Sequence, residues 1–246
     1  MIGALFQVEL LKTRRSMVAL MTLLCPLVIV LLAFVITVRA WDPPEMTGRD
    51  MVQFWFTVMD MWTMLVLPLF LAVTTGLING NEHRNHTWRV MLSLPIDADA
   101  LYTSKLLLSV ALMLCAHALL LVATVIALFA LGWVGYDIDG VFALRSTRVL
   151  WAAPLAAMAM LVVQHSLSWH LRSIVVPFTV AVIGAFLGLY TNDSKQWWLI
   201  PWTYADVATT ARTVEAQVLA TLLGPVMAVA LYLIALKRVR TQDVDQ

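Results

Sequence analysis

Charge is scarce in this chain, and cysteine is nearly absent. Only 13% of the 246 residues are Asp, Glu, Lys or Arg, about half the roughly 25% of an ordinary soluble domain. The two cysteines, Cys25 and Cys115, both fall inside apolar stretches. They offer no disulfide framework and read as small hydrophobes. No G-x-x-x-x-G-K-[ST] occurs, which excludes a P-loop for ATP on this chain, and no G-x-S-x-G occurs either. Glu82-His83-x-x-His86 has the wrong order for the H-E-x-x-H zinc motif and lacks a third ligand. Neither a catalytic residue nor a metal site is expected. The most informative absence is local: Asp, Glu, Lys and Arg are missing from six runs, Met17–Val38, Met61–Ile78, Leu106–Leu131, Val149–Trp169, Ser173–Tyr190 and Ala216–Leu236.

What fills those runs is apolar side chains, 61% of the whole sequence. Each run has 18 residues or more, and a helix needs about 20 to cross a hydrocarbon core of about 30 Å. In lipid every backbone N–H and C=O must pair internally, which helices achieve. The runs are too long for barrel strands and do not alternate. The expected fold is an all-α polytopic membrane protein, one domain over 1–246, with spans near 17–38, 56–78, 104–131, 149–169, 173–190 and 214–236. The first run is too long for a signal peptide and no small-x-small cleavage site follows it, so it reads as a retained span.

Basic residues orient the spans. Lys12, Arg14, Arg15, Arg84, Arg89, Lys105, Arg172, Lys237, Arg238 and Arg240 lie on one side of this plan, ten of the sixteen. Lys and Arg are retained in the cytoplasm, so both termini are expected there. Trp41, Trp55 and Trp62, Trp133 and Trp151, and Trp197, Trp198 and Trp202 fall near the opposite ends of the spans, where indoles anchor at headgroups. Residues 2–15 read as an amphipathic helix lying on the cytoplasmic surface. Ile2, Leu5, Phe6 and Leu10 form its apolar stripe, and Gln7, Glu9, Lys12, Arg14 and Arg15 its polar face. The tail after Leu236 is expected to fray.

Polar residues within spans are costly and need an account. Asp60 reads either as a pathway residue meeting a substrate or as a residue at the start of a helix near headgroups. His117, Gln164 and His165 are pathway candidates, or partners in interhelical hydrogen bonds. Gly184 and Gly188 form a GxxxG, a flat groove for another helix within the chain or in a dimer. Pro26, Pro68, Pro154, Pro177 and Pro225 each remove a backbone donor inside a run.

The longest polar stretch lies between the second and third runs. Gly80-Asn81 is expected to break the helix; a short amphipathic piece follows, with Trp88, Met91, Leu92 and Leu94 against Arg84, Asn85 and Arg89. Pro95 stops it, and Asp97 or Asp99 can cap the next helix. Such a helix suits docking of a soluble partner, or rests on lipid. The order Glu82-His83-x-Asn85-x-Thr87-Trp88, then Leu92-Ser93-Leu94-Pro95, then Leu101-Tyr102 with Lys105, resembles the permeases of ABC type-2 transporters, and among them the lantibiotic-immunity type. The N-terminal Glu9-x-x-Lys12-x-x-Arg15 is similar to that family as well. Asp97 and Asp99 depart from the basic residues often found after its Leu-Pro.

The resemblance implies a permease subunit of an exporter in a bacterial cytoplasmic (inner) membrane. It implies pairing with a second copy or a paralogue, and ABC ATPase subunits that carry the ATP and Mg. The coupling helix would comprise Glu82, His83, Arg84, Asn85, Thr87, Trp88, Arg89, Met91, Leu92, Leu94 and Pro95. Membrane lipid is the other expected partner; nucleic acid is not one. The substrate implied is hydrophobic or amphipathic, an antimicrobial peptide or another toxic compound. The competing classes are an intramembrane enzyme, which would pair Ser166 or Ser168 with His117, and a non-transporting sensor or assembly component.

Overall fold

A computed structural model describes residues 1–14, 16–40, 48–84, 97–138, 141, 151–171, 173–210 and 213–242, without the side chains of 48–50, 81–84 and 242. Every regular element among them is helical. In order these are α1 (Ile2–Thr13), α2 (Met17–Ala40), α3 (Gly48–Asp60), a π-helical turn (Met61–Val66), α4 (Leu67–Arg84), α5 (Ala98–Val134), α6 (Ala152–Ala156), α7 (Met158–His170), α8 (Val175–Thr191), a 3-10 turn (Trp197–Leu199), α9 (Tyr204–Thr210) and α10 (Val214–Gln242).

The described part of each apolar run is mostly helix, though not all to the same length. Four stretches are long and apolar enough to cross a membrane: Met17–Ala40, Met51–Gly80, Ala98–Val134 and Val214–Thr241. Val175–Thr191 is apolar but shorter, at 17 residues. The run beginning at Val149 is divided into α6 and α7 at Ala157. Pro154 supplies no N–H there, and Gly224 of α10 presses on the same place. A Cβ added to Gly224 would lie 2.4 Å from the Leu155 carbonyl oxygen and 2.5 Å from Ala156 Cα. Two backbones meet there because the residue between them has no side chain.

The π turn has a local cause. Pro68 has no N–H to give the Met64 carbonyl, and its ring would crowd that group in a regular α-helix. The chain widens instead, and the Leu67 N–H reaches back to the Trp62 carbonyl. Because α3, the π turn and α4 run on without a gap, Asp60 does not begin a helix. It sits about 14 Å along the axis from Met51, at 1.5 Å per residue.

The stretch from α3 to α4 forms the middle of the bundle and is mostly buried, whereas α2 and α10 are mostly uncovered. Helix α7 packs between α4 and α10, α2 lies along α5, and α8 covers α4. The outward faces are strongly apolar, with Leu23, Leu27 and Leu31 exposed on α2 and Leu222, Val226 and Leu233 on α10. A surface of this kind matches acyl chains rather than water.

Several sequence expectations need correction. Trp55 and Trp62 do not stand at an interface; they are 3% and 0% exposed in the main core. Trp133 and Trp198 are exposed. The helix at the C-terminus continues to Gln242 rather than fraying after Leu236. It is held by buried Val239 and by Arg240 Nε, which donates to Asp99 Oδ2. Asp99 is thus spent on α10. Asp97 occupies the N-cap position of α5 without a side-chain capping bond. Helix α1 packs on α5 through Leu5, Phe6, Glu9 and Thr13, while Ile2, Val8, Leu10 and Leu11 are exposed. Glu9, assigned to the polar outer face, is 3% exposed, because its counter-ion is buried inside the bundle.

Candidate functional site

Of the predicted coupling residues, Glu82, His83 and Arg84 close α4, without described side chains. Asn85, Thr87, Trp88, Arg89, Met91, Leu92, Leu94 and Pro95 lie outside the described residues, as does any short helix there. What the structure defines is the pair of flanks from which this segment leaves and to which it returns, the end of α4 and the start of α5.

These flanks are held by buried polar contacts. Asn79, 0% exposed near the end of α4, donates through Nδ2 to Ser168 Oγ at 2.8 Å and lies 3.4 Å from His165 Nδ1. On α5, Tyr102 shares a 2.8 Å hydrogen bond with Ser166, and its ring meets those of His165 and Trp169 edge-on at 4.6 and 5.2 Å. Thr103 shares a bond with the Tyr232 hydroxyl of α10 at 2.8 Å. Lys105, fully buried, donates to Glu9 Oε2 of α1 at 2.9 Å and to the Ile78 carbonyl at 3.1 Å. Lys12 adds a 2.7 Å bond to Glu9 Oε1. Burial alone would push the Glu9 carboxyl up. The charge of Lys105 and the bonds from both lysines overcome this and hold it below its ordinary range. Both ends of the chain therefore sit with the flanks, α1 through Glu9 and α10 through Arg240.

The pathway candidates are not gathered in one place. Gln164 and His165 share α7 and are fully buried. Neither amide atom of Gln164, and not Nε2 of His165, has a hydrogen-bond partner among the described residues. His117 is buried on α5, about 22 Å along the helix from Tyr102. Asp60 lies about 28 Å along α3–α4 from Asn79. Of the serines named for the enzyme alternative, Ser166 is bonded to Tyr102 and the Val162 carbonyl, and Ser168 to Asn79 and the His165 carbonyl.

A second polar cluster occupies the other end of the bundle. Asp206 of α9, 2% exposed, accepts from Thr63 of the π turn at 3.1 Å, from Thr210 at 3.2 Å and from Asn192 at the end of α8. Its carboxyl is pushed up by burial, opposed by these three bonds, with the nearby Asp193 charge adding to the rise. Asp60 belongs to this end, with Oδ1 buried and unpartnered among the described residues. The glycine face of α8 also turns inward here. A Cβ at Gly184 would lie 2.4 Å from the Trp202 ring, and one at Gly188 would be 3.8 Å from the Trp202 backbone. The groove expected to take a helix holds Trp202 of the same chain.

Sequence reasoning passed over Asn79, Glu9, Thr63, Asn192 and Asp206 as site residues. Asn79 and Asp206 carry a visible signal, a polar group beside or within an apolar stretch. Glu9 gave none, because its partner is distant in sequence. Among the described residues no three His, Cys, Asp or Glu side chains converge as a metal site would need; the imidazoles of His83 and His86 are outside them.

In comparisons with known proteins, the sequence model of the ABC-2 family transporter protein matches residues 5–188. No curated protein and no solved structure matches the chain.

Proposed function

This chain belongs to the ABC-2 transporter family, and from that premise we propose that it is the membrane permease subunit of an ATP-driven exporter. The observation that carries the reading is the construction of the α4 and α5 ends. A family match spanning 5–188 covers both. Asn79, Tyr102, Thr103 and Lys105 knit them to α7, α10 and α1. A segment fixed at both flanks to most of the bundle is well placed to pass on a push from outside the membrane.

On this reading Glu82 to Leu94 is the coupling helix, docking a separate ATPase that supplies ATP and Mg. Six spans are assembled from α2, α3–α4, α5, α6–α7, α8 and α10, with both termini in the cytoplasm of a bacterial inner membrane. Ten of sixteen basic residues on one side support that orientation. The permease pairs with a second copy or a paralogue. Because Trp202 fills the Gly184 groove, the pairing surface is sought on the exposed apolar faces, not on the glycines. Gln164 and His165, whose buried amide atoms and Nε2 have no hydrogen-bond partner among the described residues, are the pathway candidates supported best. The cargo is hydrophobic or amphipathic, an antimicrobial peptide or a comparable toxic compound, as in lantibiotic-immunity permeases.

The test is co-purification. The chain, extracted in mild detergent from its native membrane, should bring with it a P-loop ATPase in a complex containing two permease chains. Recovery of the chain alone, well folded and without an ATPase, would remove the proposal.

A further inference from the structure

Two carboxamides lie along the seam between α4 and α7, and neither is fully spent. Asn79 of α4 and Gln164 of α7 are both fully buried. Asn79 donates through Nδ2 to Ser168 Oγ at 2.8 Å, while its Oδ1 has no hydrogen-bond partner among the described residues. Gln164 has none there for either Nε2 or Oε1. Gln164 and Ser168 are four residues apart and share a face of α7, so Gln164 stands about 6 Å along the seam from the Asn79 contact. Thr75 repeats that spacing on α4. It is fully buried and donates to the Leu71 carbonyl at 2.7 Å. Neither carboxamide has a charged partner among the described residues. The Lys105 ammonium is directed to Glu9 and to the Ile78 carbonyl.

Apolar packing alone would not select these groups. A buried amide without a partner is penalised against an apolar side chain of similar size. Met at 164 and Leu at 79 would fill nearly the same volumes without that penalty. Polar side chains inside a membrane bundle serve helix contacts or a ligand path. Asn79 answers the first role in part, through Ser168; Gln164 does not answer it among the described residues. What Gln164 leaves free is an N–H donor and a C=O acceptor on one planar group. That set complements another amide, which can give and take one bond each. It does not match an ammonium, which has no acceptor, or an ionised carboxylate, which has no donor. Asn79 Oδ1 adds a second acceptor from the facing helix. Helix α7 is also a separate piece: its 13 residues are parted from α6 at Ala157, so it can tilt from α4 without carrying α6.

We propose that Gln164 and Asn79 form a binding station for an uncharged amide group of the transported molecule, closed in this structure and opened when α7 parts from α4. The inference rests on the permease reading and deepens it. The cargo it selects is a neutral amide on an apolar body, and the station lies inside the bundle of one permease. Gln164 makes the paired donor and acceptor contacts, Asn79 the further acceptor contact, and Ser168 holds the Asn79 amide in place.

The experiment uses the full chain in lipid nanodiscs and, as probe, N-octylacetamide with a photoreactive diazirine on its alkyl chain. The native chain should bind the probe saturably, and N-octylammonium should not compete. Gln164→Met should bind it about tenfold more weakly, the loss of two hydrogen bonds. Gln196→Met, at an exposed position of the outer turn, should bind as the native chain does. Equal binding by native chain and Gln164→Met, absence of saturable binding, or competition by N-octylammonium each overturns the inference. Should Gln164→Met fail to fold, photo-adducts on the native chain decide the matter. Adducts within 72–79 and 161–168 support the station, and adducts confined to other helices overturn it. The two readings fail separately. A chain that brings down its ATPase but binds the probe irrespective of Gln164 refutes the station alone. A chain that binds the probe at this seam but brings down no ATPase refutes the permease reading, and with it the assignment of the amide to a cargo.

Discussion

Gly224→Ala is a small perturbation with a large expected effect. The added methyl would stand 2.4 to 2.6 Å from the Leu155 carbonyl oxygen, Ala156 Cα and the Ala156 carbonyl oxygen. All three are backbone atoms, so no rotamer change relieves the clash, and α10 must move away from α6. Overpacking costs about 1–3 kcal/mol, and a rigid neighbour places this site near about 3 kcal/mol. Replacing Gly by Ala inside a helix returns about 1 kcal/mol of backbone propensity. The net loss is about 2 kcal/mol, or about 4–8 °C in Tm for a chain of this size. Two internal controls share the chemistry. At Gly184 the obstacle is the Trp202 ring, a side chain rather than backbone, so Ala should cost less than at Gly224. At Gly188 the nearest atoms are at 3.8 Å, and Ala should be neutral or slightly stabilising. Thermal unfolding followed by tryptophan fluorescence in detergent would rank the three. A Gly224→Ala protein as stable as Gly188→Ala would refute the close approach of α10 to α6.

Three further predictions concern topology and buried charge. Single cysteines at Thr47 and Ser194 should react with an impermeant maleimide on intact cells, and those at Asn85 and Gln242 only after permeabilisation; outside labelling at Asn85 would end the proposed orientation. Asp206→Ala takes the carboxylate from Asn192, while Thr63 keeps the Met59 carbonyl, and should cost about 1–3 kcal/mol, whereas Asp206→Asn should cost less. Since burial raises the Asp206 carboxyl above its ordinary 3.8, folded Asp206 binds the proton more tightly, and its contribution to stability declines as pH rises through and above that value. Asp206→Asn should flatten this decline, and an unchanged pH profile would count against it. For Glu9 the sign is opposite. Its carboxyl is held below the ordinary 4.5, so the pair stabilises at neutral pH and the contribution is lost as pH falls through 4.5 and below. The stability gap between native chain and Lys105→Met should therefore be widest near pH 7 and close on acidification; a gap independent of pH would show the pair is uncharged.

Helix positions were legible because an uncharged run of 18 residues or more has few alternatives. Which face of each helix turns inward was not. Lipid tails and a protein core are about equally apolar, so hydropathy cannot tell a lipid-facing leucine from a buried one. Trp55 and Trp62 therefore read as interfacial anchors and are core residues, and the Gly184 groove read as a helix contact and holds Trp202. The π turn at Met61–Val66 had a sequence cause in Pro68, but a proline in a run has several outcomes. Glu9 was read as an outward charge because Lys105, nearly a hundred residues away, leaves no periodic trace near it. The resemblance to ABC type-2 permeases rested on residues around Glu82 to Lys105, and the family match over 5–188 extends well beyond them.

The central claim is that an ATPase docks on the segment between α4 and α5. Interface energy concentrates in a few buried aromatic anchors, and Trp88 is the aromatic residue of that segment. The direct measurement is the affinity of the purified ATPase for nanodisc-embedded native chain and for Trp88→Ala, at equal and verified insertion. The account predicts a loss of about 2 kcal/mol, roughly 30-fold in Kd, with Glu82→Ala weakening ATP-driven motion more than it weakens folding. An ATPase that binds Trp88→Ala and the native chain equally well would contradict it.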